Sequence, residues 1–218
     1  MDISNYHYGS GDPNKSHGYL LPALLGILDG LGLQGGARRI FDLGCGNGSV
    51  AAFLRDRGYA VVGVDPSKEG ISTANRVHPE LQLFNGSAYD DLAETYGQFP
   101  VVISLEVVEH VYFPRKFARC IHSLLENGGC AVLSTPYHGY WKNLALSVTG
   151  QLDRHFTALW DDGHIKFWSY KTLGTLLNEA GLEVVEFKRI GRIAPLAKSM
   201  IAVAKKVPCP GSEAQRIT

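Results

Sequence analysis

The order of elements in this chain predicts a doubly wound, mostly parallel seven-stranded α/β sheet. Three observations carry that expectation: short apolar runs ending on a carboxylate, helical segments alternating with them, and one glycine-rich turn inside the first pair. The run 59–65 is nearly all apolar and ends on Asp65, the pattern of a parallel strand covered on both faces. With 218 residues, the chain is long enough for one such domain with a sizeable core.

Taken in order, residues 1–17 are polar and rich in turn formers, with aromatic rings at Tyr6 and Tyr8. Over 18–33, Leu20, Leu21, Leu24, Leu25, Leu28 and Leu31 recur at helical spacing, so 1–35 reads as a tail and a helix. That helix either packs on the sheet behind a loose tail or forms a flap in which Tyr8, His17 or Tyr19 touches ligand. The spans 38–43, 59–65, 81–85, 101–107 and 130–135 read as strands, and 49–57, 67–77 and 114–126 as helices. Ser67 is placed to cap the second of these helices, and Asn127-Gly128-Gly129 to turn the chain after the third. A helix over 170–180 stops at Gly181, and strands over 182–190 and 199–205 follow, joined by a turn near 191–195. Residues 137–168 break the rhythm, 208–218 read as a loose tail, and no repeat divides the single domain 1–218.

Charge excludes little but directs less. The 21 Lys and Arg balance the 21 Asp and Glu, so nothing general draws the chain to nucleic acid or to an acidic membrane. The four cysteines, Cys45, Cys120, Cys130 and Cys209, form no C-x-x-C pair and read as free thiols in a reducing compartment. No basic segment leads into an apolar run at the N-terminus, and no apolar stretch reaches spanning length. A cytoplasmic location without a membrane span is the expectation.

The chemistry gathers at Phe41-Asp42-Leu43-Gly44-Cys45-Gly46-Asn47-Gly48-Ser49-Val50. Three glycines at alternate positions let a strand turn sharply into a helix and approach a ligand closely. Such a turn suits phosphate, yet a dinucleotide fingerprint requires G-x-G-x-x-G, whereas this stretch runs G-x-G-x-G. Asp42 beside the glycines would repel a pyrophosphate and favour a ligand carrying an ammonium group. Asp65, 23 positions after Asp42, can accept both hydroxyls of a ribose diol, and Pro66 turns the chain away behind it. A strand-terminal Asp beginning an ordinary turn is the plainer alternative.

From these residues the chain resembles the class I S-adenosylmethionine-dependent methyltransferases over roughly 36–206. Phe41 to Gly48 is similar to their first motif, and Val62 to Ser67 to their acidic loop. Gly86-Ser87-Ala88 stands where the family often has Gly-Asp-Ala beside the adenine, with Asp90 as a substitute acid. Ile103-Ser104-Leu105-Glu106-Val107-Val108-Glu109-His110-Val111 and Leu133-Ser134-Thr135-Pro136 resemble the ubiquinone-biosynthesis O-methyltransferase subgroup. In the segment 125–129, Glu126-Asn127 replaces the Lys-Pro of that subgroup.

The resemblance implies S-adenosylmethionine as cofactor and S-adenosylhomocysteine as product. The cofactor set it implies is Asp42, Gly44, Cys45, Gly46, Asn47, Gly48, Asp65, Pro66, Ser67, Ser87, Ala88, Leu105 and Glu106. It implies methylation of a small organic acceptor, at oxygen in that subgroup. A protein or RNA acceptor, or a non-catalytic cofactor binder, are the competing readings, and the oligomeric state stays open.

If the acceptor arrives protonated, a base is required, and His110 after the fourth strand is the candidate; a helix-start His bonded to backbone is its alternative. Asp161-Asp162-Gly163-His164 offers donor atoms, but no further ligand stands at suitable spacing, so it reads as a solvated turn and no metal is expected. Residues 137–168 carry Tyr137, Tyr140, Trp141, Phe156, Trp160, Phe167 and Trp168. Such a segment reads as a lid, with Tyr137, Tyr140, Trp141, Trp160 and His164 facing the acceptor. Rings that pack the loop on the sheet, or an oligomer contact, are the alternatives.

Overall fold

Along the central strands, successive side chains enter two separate cores. The strands are β1 (Arg39–Leu43), β2 (Ala60–Asp65), β3 (Gln82–Asn85), β4 (Phe99–Leu105), β5 (Leu125–Pro136), β6 (Leu182–Ile190) and β7 (Ser199–Lys206). Phe41, Leu43, Val102, Ala131, Leu133, Met200 and Ala202 fill one core. Ile40, Val101, Ile103, Cys130, Val132, Ile201 and Val203 fill the other. That alternation is the period-two geometry of a strand buried on both sides. The computed structural model describes residues 16–156, 158–161 and 163–207; the readings of Tyr6, Tyr8, Asp162, Cys209 and 208–218 lie outside the described residues.

Helices α1 (His17–Gly30), α2 (Ser49–Arg55) and α3 (Lys68–Val77) supply Leu20, Leu24, Leu28, Leu54 and Ile71 to the second core. Helices α4 (Leu92–Tyr96), α5 (Pro114–Leu124) and α8 (Tyr170–Glu179) cover the first with Leu92, Phe117, Ile121, Leu173 and Leu177. Helices α6 (Tyr140–Val148) and α7 (Leu152–Phe156) lie in the connection after β5 and bury none of their own residues. The seven-stranded sheet runs β3-β2-β1-β4-β5-β7-β6, with β7 antiparallel to both neighbours and the remaining pairs parallel. The strand order reverses between β1 and β4, which opens a crevice at their carboxyl ends.

Three boundaries depart from the sequence reading. The fourth strand, expected over 101–107, stops at Leu105, because Glu106 takes a left-handed φ of 56° that no strand continues. The turn expected at 127–129 falls within β5 instead: Leu125 already pairs with Phe99, and a register shift between Phe99 and Val101 absorbs the glycines. Helix α4 occupies part of 86–98, where no element was expected. Among the described residues, no helix is long and apolar enough to cross a membrane.

Candidate active site

The glycine loop folds back beneath the next strand. Gly44 and Cys45 both donate their N–H to the Val64 carbonyl, at 2.8 and 3.1 Å. Gly44 has φ +89°, and a Cβ there would collide with the Val107 side chain. Gly48, with φ +77°, would put a Cβ 2.7 Å from Leu83 Cδ1. Both positions therefore require glycine for space as well as for backbone conformation. Asn47 is buried, and its Oδ1 accepts the Ser49 N–H at 3.2 Å, which shapes the turn into α2. Cys45 is buried with a free thiol, as are Cys120 and Cys130.

Asp65 ends β2 and holds this loop from below. Its Oδ2 accepts the Gly46 N–H at 2.9 Å and its Oδ1 the Ser67 N–H at 2.8 Å. Burial pushes its carboxyl up to about 6, and the two backbone bonds act against that rise. Asp42 is more secluded: 2% exposed, with no hydrogen-bond partner for Oδ2. Burial, and secondarily the Asp65 charge, raise its carboxyl to about 7. A cationic group would satisfy that oxygen and remove the cost of an unpaired buried carboxylate. Ser67 caps α3 by accepting from the Gly70 N–H at 3.1 Å. Asn85 Nδ2 donates to the carbonyls of Asp65 and Pro66, both at 3.0 Å, so Pro66 is fixed as the exit from the strand.

On the adenine side of the expected ligand, Ser87 and Asp90 are turned toward their own loop. The Ser87 N–H bonds to Asp90 Oδ2 at 2.7 Å, and Ser87 Oγ accepts the Tyr89 N–H at 3.2 Å. Ala88 packs against the first core, and Leu105 lies half-buried against the second.

The loop after β4 joins this crevice to the long insertion. Glu106 N–H bonds to both Ser134 O and Ser134 Oγ, at 3.1 and 3.0 Å. In return, Ser134 Oγ donates to Glu106 Oε1 at 2.8 Å, and Ser199 Oγ donates to Oε2 at 3.3 Å. Burial raises the Glu106 carboxyl to about 7, opposed by these two hydroxyls and by Lys142. Tyr19 on α1 meets Ser199 Oγ at 3.3 Å, so the helix both packs on the sheet and sends one ring toward the site. In the sequence reading Ser134 stood in the Leu133–Pro136 motif without a role and Ser199 was absent from the candidates; neither carries a local signal for contact with Glu106.

Two backbone carbonyls of the same loop carry the insertion. Val108 O accepts the Trp168 indole N–H at 3.1 Å, and Glu109 O accepts from Ile165 N and Lys166 N at 2.9 and 3.0 Å. His110 Nδ1 lies 3.2 Å from Gly163 O. The His110 ring meets His164 at 4.9 Å and Trp160 at 6.3 Å between centroids, edge to face. Burial, then the neighbouring His110, hold His164 down at about 4, so it is a neutral imidazole at pH 7.

Glu109 is 1% exposed, and among the described residues its carboxylate has no well-formed hydrogen bond, although the Thr135 hydroxyl lies close enough to oppose the rise in its pKa. Burial first, then the Glu106 charge, push its carboxyl well above the usual range. Its place beside His110 in the sequence was visible, but its seclusion was not.

The five expected acceptor residues separate into two groups. Trp160 and His164 converge on His110, and Tyr137 lies half-buried against Tyr170, with ring centroids 5.4 Å apart. Tyr140 and Trp141, at 73% and 67% exposure, stand on the outer side of α6 and are not gathered with them. Lys142, from the same helix, donates to Tyr137 O at 2.8 Å.

Comparison with known proteins agrees with this arrangement. A family described as a methyltransferase domain matches residues 18–187. The ubiquinone biosynthesis O-methyltransferase of Ruegeria pomeroyi is 34% identical over 155 residues, which cover 69% of this chain and 62% of that protein. The protein of the same name from Pseudomonas aeruginosa is 33% identical over 161 residues, covering 70% and 67%. The chain thus spans about six-tenths of the length of the first of these curated relatives.

Among solved structures, the magnesium protoporphyrin IX methyltransferase of Synechocystis with bound SAH aligns at TM-score 0.62 and 20% identity, covering 86% of this chain and 82% of that one. A TehB-like SAM-dependent methyltransferase from Corynebacterium glutamicum aligns at TM-score 0.60 and 20% identity, covering 83% and 85%. These two likenesses speak to the fold. With the matched family model, the chain belongs to the methyltransferase-domain family, as a class I S-adenosylmethionine-dependent methyltransferase.

Proposed function

We propose that the protein methylates an oxygen of a small organic acceptor. The observation that carries the cofactor half is Asp42, a buried carboxylate with an unpartnered oxygen beside a loop that admits no Cβ at Gly44. It suits the ammonium of S-adenosylmethionine, and Gly46, Asn47 and Gly48 suit the close approach of its amino-acid part. Each Asp65 oxygen is engaged by one backbone N–H and keeps acceptor capacity for a ribose hydroxyl. Pro66 and Ser67 close that end of the crevice. Ser87, Ala88 and Leu105 flank the base, with Glu106 at the junction of cofactor and acceptor.

S-adenosylmethionine, when bound, supplies a methyl group on a sulfonium that is already a good leaving group. The protein's own task is to hold the acceptor oxygen in line with that carbon; orientation of this kind supplies about 7–11 kcal/mol in favourable intramolecular reactions. Tyr137, Trp160 and His164 are placed to orient an apolar acceptor and to exclude water from it. Where the acceptor arrives protonated, His110 is the group to accept its proton. A carbonyl can only accept, so His110 donates from Nδ1 to Gly163 O, which fixes the orientation of the ring. The names of the curated relatives support oxygen as the atom methylated.

The test is a methyl-transfer assay with labelled S-adenosylmethionine over three acceptor panels: small phenols and enols, bulk RNA, and a peptide library. Turnover confined to the small molecules is expected. Turnover confined to RNA or peptide would replace the acceptor class, and no turnover with measurable S-adenosylhomocysteine binding would leave a cofactor-binding protein.

A further inference from the structure

Helix α6 carries a cation to which the methyl-transfer reading gives no task. Lys142 is half-buried, and its Nζ donates to the Tyr137 carbonyl at 2.8 Å. That bond draws the ammonium back toward the start of the helix, where Tyr137 packs on Tyr170. An ammonium has three donors, so two remain. Among the described residues, no carboxylate stands within ion-pair distance of Nζ. Glu106 acts on it from further off, its own oxygens engaged by Ser134 and Ser199.

A second cation reaches the same place from the β6–β7 turn. That turn is tight: Lys198 N–H donates to Ile190 O at 3.0 Å, and a Cβ on Gly191 would stand 2.9 Å from Lys198 Cβ. The short turn Ala194–Leu196 just beyond lies against α6. The exposed Arg192 thereby comes within electrostatic reach of Lys142. Burial first, then Arg192, hold the Lys142 ammonium down at about 8, and Glu106 opposes them. The buried His138 lies within reach of both Lys142 and His164. The cations therefore border the part of the insertion where His164 and Trp160 meet His110.

We propose that Lys142, with Arg192 behind it, binds an anionic group of the acceptor, so that the substrate is a small aromatic or enolic hydroxy acid held by its carboxylate. The proposal rests on the reading of 137–168 as the acceptor side and names the class of acceptor. A half-buried ammonium with two free donors offers a carboxylate charge-assisted hydrogen bonds, about twice as strong as neutral ones. An anion between the two cations also relieves their mutual repulsion. Charge decides between carboxylate and phosphate. Glu106 acts on both Lys142 and Glu109, so a dianion entering here would meet two carboxylates, whereas a monoanion meets less repulsion.

The experiment uses the full chain and a panel of phenols: hydroxybenzoates, hydroxyphenylacetates, their uncharged amides, and hydroxyphenyl phosphate. Binding is followed by calorimetry at saturating S-adenosylhomocysteine, and turnover with labelled S-adenosylmethionine. At least one acid should bind about tenfold tighter than its amide, the equivalent of one charged hydrogen bond, and tighter than the phosphate. Lys142→Met should erase that preference, Lys142→Arg should keep most of it, and Arg192→Gln should reduce it. Melting temperature and S-adenosylhomocysteine affinity should stay unchanged in all three. The ratio of acid to amide is the decisive readout, because a lysine that only ties α6 to Tyr137 would weaken both alike. Equal or absent binding of acid and amide in the parent, or a preference that survives Lys142→Met, overturns the proposal. So does tighter binding of the phosphate. Loss of S-adenosylhomocysteine affinity in a normally melting Lys142→Met would give the ammonium to the cofactor's own carboxylate and refute it as well. A Lys142-dependent preference for acid without methyl transfer to any phenol upholds the anion site and removes the oxygen-methylation reading.

Discussion

The Gly46 N–H donates to Asp65 Oδ2 at 2.9 Å, so the acid that ends β2 also sets the middle glycine of the loop after β1. One side chain thereby shapes the loop, and under the proposed function it also serves the ribose. Asp65→Ala removes the loop tie along with the acceptor and should weaken S-adenosylhomocysteine by roughly 1.5–3 kcal/mol, the range for charged hydrogen bonds. Asp65→Asn, which keeps one acceptor oxygen, should lose less. Calorimetry on the folded variants decides it, and equal affinity for parent and Asp65→Ala would take Asp65 out of the site.

Asp42 gives the cofactor site a pH dependence of known sign. Its carboxyl titrates at about 7, and the ammonium-binding form is the deprotonated one. Affinity for S-adenosylhomocysteine should therefore fall about tenfold per pH unit on the acid side of that value and level off above it. Asp42→Asn should bind weakly at every pH, with that dependence flattened. Stability of the cofactor-free protein runs the other way. A folded value raised from 3.8 means the group's contribution is full below the unfolded value and is lost as pH rises through about 7. Thermal unfolding should accordingly show Asp42→Asn gaining over the parent at pH 8 and not at pH 4; a gain equal at both would contradict the assignment.

Trp160 and Trp141 should part company in kinetics. Trp160 sits beside His110 and His164, whereas Trp141 is 67% exposed on α6. Trp160→Ala should raise the acceptor KM by the equivalent of about 2–3 kcal/mol, leaving S-adenosylhomocysteine affinity nearly unchanged. Trp141→Ala should change both constants little. The reverse order would mean that α6 folds inward when acceptor binds and that the outer face described here is the open form.

The sheet and the cofactor loop were legible because their signals are local. An apolar run ending on Asp65, a glycine at each position where a Cβ would collide, and a Ser at the N-cap of α3 each follow from neighbours in sequence. Helix α6 was less so: the segment 137–168 read as a break in the rhythm, yet a helix lies at Tyr140–Val148. A helix that buries nothing leaves only a faint apolar period to read. Glu109 shows the stronger limit. Nothing in the string Val107-Val108-Glu109-His110 distinguishes a solvated acid from one that is 1% exposed, because Thr135 and His164 come against it only in the fold. A like distance hid the partnership of His110 with His164, whose rings meet at 4.9 Å between centroids.

The insertion hangs from carbonyl oxygens of the loop after β4, Val108 O and Glu109 O, and two of its three hydrogen bonds to them come from its own backbone N–H groups. Carbonyls are present whatever side chains a sequence carries. A foreign segment spliced between residues 136 and 169 would find the same hooks provided it kept an indole at 168, and the glycine loop with Asp42 and Asp65 makes no recorded hydrogen bond to the part exchanged. The protein is in that respect a socket with a replaceable cassette, and if the cassette holds the acceptor, a change of substrate requires rewriting about thirty residues rather than the whole chain.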